Sequence, residues 1–295
     1  MFLSIKKIPK TKWSSKKPLN LKPKISIRDT SFAHGVGLGS GDFNWPPDYF
    51  DYDRSKEWQK ICLFTDWAIL NNEVIHSKSQ INIAWILEPY SICPHTYKFI
   101  SIKKVYDQYS FVLTHCKELV KLNPDKFKYY PFGGCWIQPE NRKIHNKSKL
   151  VSIIASNKNT TYGHKLRHQV IKKIKPLDVF GNGYNYVANK ELALSDYMFS
   201  VIIENDNNDG YFTEKLIDCL ITGTVPIYWG SDISDKFDMD GIIHFSKMDQ
   251  LEEIVRSLNI SKYQDMYKNI GINFRLAHEY AKPENWIYNN IIKYL

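Results

Sequence analysis

YMFSVIIENDNNDGYFTEKLIDCLITGTVPIYWG, from Tyr197 to Gly230, is the stretch that decides how this chain is built. An apolar run at 199–203 has the length of a strand, a polar loop rich in Asn and Asp follows, and apolar sequence resumes beyond 213. Thr213 is an N-cap by residue type, and Leu216, Ile217, Leu220 and Ile221 recur at the spacing that lines one face of a helix. Gly223 ends that helix, and 225–229 is a second run of strand length. In an open parallel sheet, ligands collect at the carboxyl ends of the strands, where this loop lies. Lys215 falls in the first helical turn, where the helix dipole favours acids, so its position points to a bound anion. Glu204, Asp206, Asp209 and Glu214 fall close together in the same segment, as acceptors for ribose or sugar hydroxyls. Residue by residue, an ordinary αβ unit with a solvated acidic loop would look the same; the whole string is what carries weight.

The alternation extends outward. Upstream lie a strand at 150–155, a helix at about 163–174 and a strand at 177–180 stopped by Gly181-Asn182-Gly183. Before these come a strand at 81–87 ended by Glu88-Pro89, a strand at 111–114 and a helix over 117–122. The polar segment 138–149 lacks apolar periodicity and reads as a linker. Residues 31–52 place glycines at 35, 37, 39 and 41, which reads as a loop. A dinucleotide fingerprint is not expected there, because no predicted strand leads in and Trp45-Pro46-Pro47 stands where a helix should start. The fold class is therefore α/β with two Rossmann-like domains: a basic tail at 1–30, a first domain at 31–148, a second at 149–261 and a helical segment at 262–295 that packs back across them.

With 295 residues and 43% apolar content, the chain can bury the cores of two domains. Its net charge of +9 is concentrated in eight lysines between Lys6 and Lys24, with no acid before Asp29. Such a tail is ordinarily solvated. Its sharper use is a peripheral contact with an anionic membrane, worth about 1 kcal/mol per lysine. Attraction to nucleic acid would be independent of sequence, and no nucleic-acid partner is expected. No segment approaches the roughly 18 apolar residues of a membrane span. Cys62, Cys93, Cys116, Cys135 and Cys219 are odd in number and show no CxxC spacing, which reads as reduced thiols in a cytoplasmic protein.

The quoted stretch resembles the donor motif of the α-1,3/4-fucosyltransferases, glycosyltransferase family 10. Glu204-Asn205, the run Tyr211-Phe212-Thr213-Glu214-Lys215-Leu216 and the run Gly223 to Gly230 fall where that motif has its Glu-Asn pair, its Y-x-T-E-K segment and its Val-Pro strand. Ser156-Asn157, Arg167 and Asp178-Val179-Phe180-Gly181 extend the resemblance upstream. It implies GT-B architecture, two facing Rossmann-like domains with a cleft between them, the first on the acceptor side and the second binding the donor. It further implies GDP-fucose as donor and a glycan hydroxyl as acceptor; no obligatory cofactor or metal is expected, because the metal-like Asp238-Met239-Asp240 lacks a flanking apolar strand. By the same resemblance Arg167 and Lys215 hold the pyrophosphate and Glu214 contacts the ribose, while Tyr211, Glu204 and Asn205 line the donor pocket. An inverting transfer needs a base on the opposite face of the sugar, and Glu88 is the candidate, with a strand-ending surface acid as the plainer reading. His95 and His115 are further candidates for the cleft, and Asp238-Met239-Asp240 reads as a loop that imitates a metal motif. Two other functions stay open: transfer from a different nucleotide sugar, and a non-catalytic binder on the same scaffold.

Overall fold

The apolar runs fold into parallel sheets. The computed structural model describes residues 22–29, 37, 45–131, 133–208 and 210–295. The proposed membrane-contacting lysines before residue 22, most of the glycine-rich stretch, and Asp209 lie outside those residues.

Strands β1 (Lys24–Arg28), β2 (Asp51–Asp53), β3 (Ile61–Thr65), β4 (Ile81–Trp85), β5 (Phe111–Thr114) and β6 (Phe127–Tyr129) form one sheet in the order β2-β1-β3-β4-β5-β6. Strands β7 (Lys149–Ile154), β8 (Asp178–Phe180), β9 (Tyr197–Ile203), β10 (Val225–Trp229) and β11 (Ile243–His244) form a second in the order β11-β10-β9-β7-β8. Every pairing is parallel. Helices α1 (Trp67–Leu70), α2 (Pro94–Ile100), α3 (Lys103–Tyr106) and α4 (Lys117–Leu122) accompany the first sheet. They are followed by α5 (Tyr162–Lys173), α6 (Glu214–Ile221), α7 (Met248–Ser257), α8 (Ile260–Asp265), α9 (Tyr267–Tyr280) and α10 (Pro283–Asn290).

Strands covered on both faces should read as unbroken apolar runs, and β3, β9 and β10 are buried at every position. On one face of the second sheet, Val151, Ile153, Phe199 and Val201 pack with Leu166 and Val170 of α5 and Leu251 and Val255 of α7. On the other, Ile202 and Tyr228 meet Leu216, Ile217 and Leu220 of α6 and Ala277 of α9. In the first sheet Ile27, Leu63, Ile83, Trp85 and Leu113 are covered by Ile287 of α10 and by Ile292, so the end of the chain lies on the domain that the chain builds first.

Three expectations need correction. The basic tail does not extend to residue 30, since β1 lies within it and Ile25, Ser26 and Ile27 are buried. Flanking lysines hide this short strand, and its serine is tolerated because the hydroxyl donates to Glu57 O and accepts from Gln59 N. A strand therefore does lead into the glycine-rich stretch. The boundary at 148/149 also moves, because Cys135 and Ile137 are already buried in the core of the second domain. Residues 138–149 are anchored by polar contacts that leave no periodic signal: Lys147 Nζ donates to the carbonyls of Leu194, Ser195 and Thr222 and to Thr224 Oγ1. Finally, the strand predicted over 81–87 stops at Trp85, because the Leu87 and Glu88 amides turn away from the sheet to a side chain.

Candidate active site

At the end of β9 the chain passes into Glu204, whose side chain is fully buried. One carboxylate oxygen accepts from Thr213 N at 2.9 Å; the other accepts from Thr213 Oγ1 at 2.8 Å and Lys215 Nζ at 3.3 Å. Thr213 Oγ1 in turn caps α6 by accepting from Lys215 N. Lys215 is thus tolerated at a helix N-terminus because Glu204 balances its charge from beneath. Gly163, at the start of α5, lies so close to this turn that a Cβ there would sit 1.8 Å from Glu204 O. That approach brings Arg167 onto the same strand end. Its Nε and Nη2 donate to Ile203 O at 2.9 and 2.5 Å, and Nη2 also donates to Asn205 Oδ1 at 2.9 Å.

Above these residues opens a cleft of about 510 Å³, within the range of small-molecule sites. Arg167, Asn205, Tyr211, Glu214 and Lys215 line it from the second domain and Glu88 from the first. Glu204 does not line it, which corrects its predicted place. Its carboxylate is used up on the α6 cap and on Lys215, so it organises the wall from behind. Asp206 does not line it either; its Oδ1 accepts from the Asn207 and Asn208 amides in a local turn.

The charges on this wall are paired. Glu214 Oε1 lies 3.6 Å from Lys215 Nζ and 3.4 Å from Lys190 Nζ, and Lys190 reaches Asp218 Oδ2 at 2.7 Å. Burial opposes ionisation of Glu214, but Lys215 and Lys190 outweigh it and hold its carboxyl down at about 2. Burial likewise works against the charge on Lys190, and Asp218 and Glu214 raise its pKa in spite of it. The Lys190 ammonium also sits 4.2 Å from the centre of the Trp136 ring.

The opposite wall differs. Burial pushes the Glu88 carboxyl above its ordinary value, while Lys215 pulls it the other way. Behind Glu88, Tyr97 OH donates to the Glu88 carbonyl at 3.1 Å and meets His115 Nε2 at 3.2 Å. Burial drives the His115 imidazole down to about 4, so it is neutral near pH 7, and its ring lies 5.0 Å from that of Tyr211. His115 is therefore a buried contact between the domains, and His95 is exposed outside the cleft. The domains also touch at Gly210, where φ is +86° and a Cβ would meet His115 O at 2.6 Å.

Trp136, His164, Lys190 and Asp218 line the cleft without having been singled out in the sequence. For His164 a signal exists: Thr161 and His164 form a capping box at the start of α5. Lys190 and Trp136 come from irregular segments far apart in sequence, and no local pattern joins them. Asp238 caps a 3-10 turn by accepting from Asp240 N at 3.0 Å, and among the described residues no three His, Cys, Asp or Glu side chains gather as a metal site.

Chemically, one wall offers two cations and a helix N-terminus to a diphosphate, and the other offers a carboxyl of raised pKa. Residues 144–286 match the family model described as "Glycosyltransferase family 10 (fucosyltransferase) C-term". Over 135 residues the chain is 33% identical to the alpha-(1,3)-fucosyltransferase FucT of Helicobacter pylori, a match covering 42% of this chain and 28% of that one. Over 151 residues it is 25% identical to the Bos taurus 4-galactosyl-N-acetylglucosaminide 3-alpha-L-fucosyltransferase 9, covering 49% and 42% respectively. The chain thus spans less than half the length of these curated relatives. A crystal structure of an alpha1,3-fucosyltransferase superposes with a TM-score of 0.50 at 16% identity, covering 95% of each chain. Anabaena Alr3699/HepE in complex with UDP-glucose gives 0.53 at 8% identity, covering 80% of this chain and 79% of that one. At such identities the likeness is one of fold, and the fold is GT-B.

Proposed function

Because the chain belongs to glycosyltransferase family 10 through residues 144–286, we propose that it transfers fucose from GDP-fucose to a hydroxyl of a glycan acceptor, with inversion at the anomeric carbon. The observation that carries this reading is the convergence of Arg167, Glu214 and Lys215 on one wall of a cleft whose other wall presents Glu88. In the reaction, the acceptor oxygen bonds to the anomeric carbon as the bond from that carbon to the diphosphate breaks. GDP leaves with the bonding electrons, and Glu88 takes the acceptor proton. Negative charge grows on the departing diphosphate, so Lys215 and Arg167 stabilise the transition state more than the bound donor. Glu214, ionised throughout the neutral range, accepts from the ribose hydroxyls. The raised pKa of Glu88 makes it a stronger base than a solvated carboxylate.

The test combines ligand-dependent melting with a transfer assay. GDP and GDP-fucose should raise the melting temperature where UDP does not, since a ligand that binds only the folded state must stabilise it. Fucose should then pass to a 4-galactosyl-N-acetylglucosaminide, the acceptor class in the name of the cattle relative. Stabilisation by a UDP-sugar alone would overturn the donor. Binding of GDP-fucose without transfer or hydrolysis would make the protein a binder.

A further inference from the structure

Asp66 sits at the end of β3 in a backbone conformation foreign to its residue type, with φ 37° and ψ −108°. Strain of this kind persists only where the surroundings hold it, and it gathers at functional sites. Although Asp66 occupies the cap position before α1, its side chain makes no capping bond there. It crosses instead to the end of β4, where Oδ1 accepts from Leu87 N at 2.8 Å and Glu88 N at 3.2 Å. The backbone of Asp66 is pinned as well: its amide donates to Trp85 O at 3.1 Å, and its carbonyl accepts from Thr96 Oγ1 at 3.3 Å. Two successive peptide groups held by one oxygen have little freedom to rotate, and they set the direction in which the Glu88 side chain leaves the chain. The residue is wholly buried, and Oδ2 has no partner among the described residues.

We propose that Asp66 is the positioning residue for Glu88: its carboxyl clamps the two amides that aim Glu88 into the cleft, and its ionisation is coupled to that of Glu88. The inference rests on Glu88 being the base. An amide acceptor would serve the clamp alone, so the acid calls for an account of its charge. Burial, with its unpartnered oxygen, and then the neighbouring Glu88 raise the Asp66 carboxyl to about 7. Facing Asp66 are Glu88 from the end of β4 and Cys93 and Tyr97 at α2, and facing Glu88 are Lys215, Glu214, Lys158 and Glu204 from the second domain. Because Glu88 and Asp66 act on one another, their protons come off in two steps that belong to the pair. Once Asp66 is charged, it grips the amides more strongly and makes Glu88 more basic.

The experiment measures transfer from GDP-fucose to a 4-galactosyl-N-acetylglucosaminide across pH for wild type, Asp66→Ala, Asp66→Asn and Glu88→Gln. Asp66→Ala should lower kcat about tenfold to a hundredfold through misaimed Glu88, with KM for GDP-fucose unchanged because the donor wall is untouched. Asp66→Asn keeps the acceptor at Oδ1 and should restore most of that kcat. It should also remove the second rise of kcat expected of the wild type near pH 7. Unchanged kcat in Asp66→Ala, or a surviving second rise in Asp66→Asn, overturns the inference, and the second measurement decides if the alanine variant does not fold. A parallel loss of kcat and donor KM in both variants would mean a role in folding alone, and overturns it too. Glu88→Gln separates the two levels. Full transfer by that variant removes the base and Asp66 with it, whereas an inactive Glu88→Gln beside a silent Asp66→Ala removes only Asp66.

Discussion

The two walls of the cleft treat their carboxylates in opposite ways. On the donor wall Glu214 and Asp218, and behind it Glu204, each touch a lysine, and Glu214 is held at about 2. On the facing wall Glu88, and Asp66 behind it, have no cation bound to them among the described residues, and burial raises both. One wall has fixed its charges in advance, as suits a site that must meet a constant diphosphate and the charge that grows on it. The other holds its carboxyls above their ordinary values, as suits a site that must accept a proton. The difference follows from residue type and neighbours: lysines rise from α6 and from the turn at Lys190–Ala193, and none rises from the ends of β3 and β4.

The largest expected effect tests this division directly. Glu88→Gln should lower kcat by about 10²- to 10⁴-fold, the usual contribution of a positioned base, and leave GDP affinity as it was. Lys215→Ala should lower kcat by about 10²- to 10³-fold and also weaken GDP. Transfer kinetics paired with GDP titration checks both variants. If Glu88→Gln weakened GDP as much as Lys215→Ala does, the walls would not divide the work and the comparison would fail.

A smaller effect is expected beneath the donor wall. Glu204 accepts three hydrogen bonds in a fully buried setting, so Glu204→Gln places an amide donor where Thr213 and Lys215 also donate. Stability should fall by about 1–3 kcal/mol, read from urea unfolding. The facing wall offers a control, since Glu88→Gln should raise stability slightly or leave it alone at neutral pH. An equal loss at both positions would show that pairing does not distinguish the walls.

The same contrast explains what the sequence reveals and what it hides. The β9-α6-β10 unit is legible because a contiguous apolar run, a capping threonine and a helical stripe each leave a local mark. Arg167, Glu214 and Lys215 follow because their setting is that one unit and the helix beside it. Glu204 is legible as a type but not in its direction, for sequence does not say that a carboxylate after a buried strand turns down to a cap. β1 hides among lysines because its apolar stretch is only three residues deep. Cys135 and Ile137 join the second domain through contacts with α6 and α9, across sequence distances that no window spans. Asp66 is the furthest from reach: its role depends on a strained φ and on amides just beyond a neighbouring strand, and neither leaves a trace in residue order.

The finest test uses stability against pH, where the walls should act in separate windows. Glu214 is depressed from 4.5 to about 2, so the unfolded chain takes up its proton first as pH falls. Its contribution is complete above 4.5 and disappears as pH falls toward 2. Asp66 is raised from 3.8 to about 7, so here the folded protein holds the proton longer. Its contribution is complete below 3.8 and declines as pH rises through 7. Urea midpoints measured across pH should therefore fall on the acid side in a way that Glu214→Gln flattens, and decline toward neutrality in a way that Asp66→Asn flattens. The Glu214 effect comes from Lys215 and Lys190 beside it, so Lys190→Met should flatten the same limb in part. If Asp66→Asn flattened the acid limb instead, Asp66 would be a paired carboxylate like those opposite, and the asymmetry between the walls would not exist.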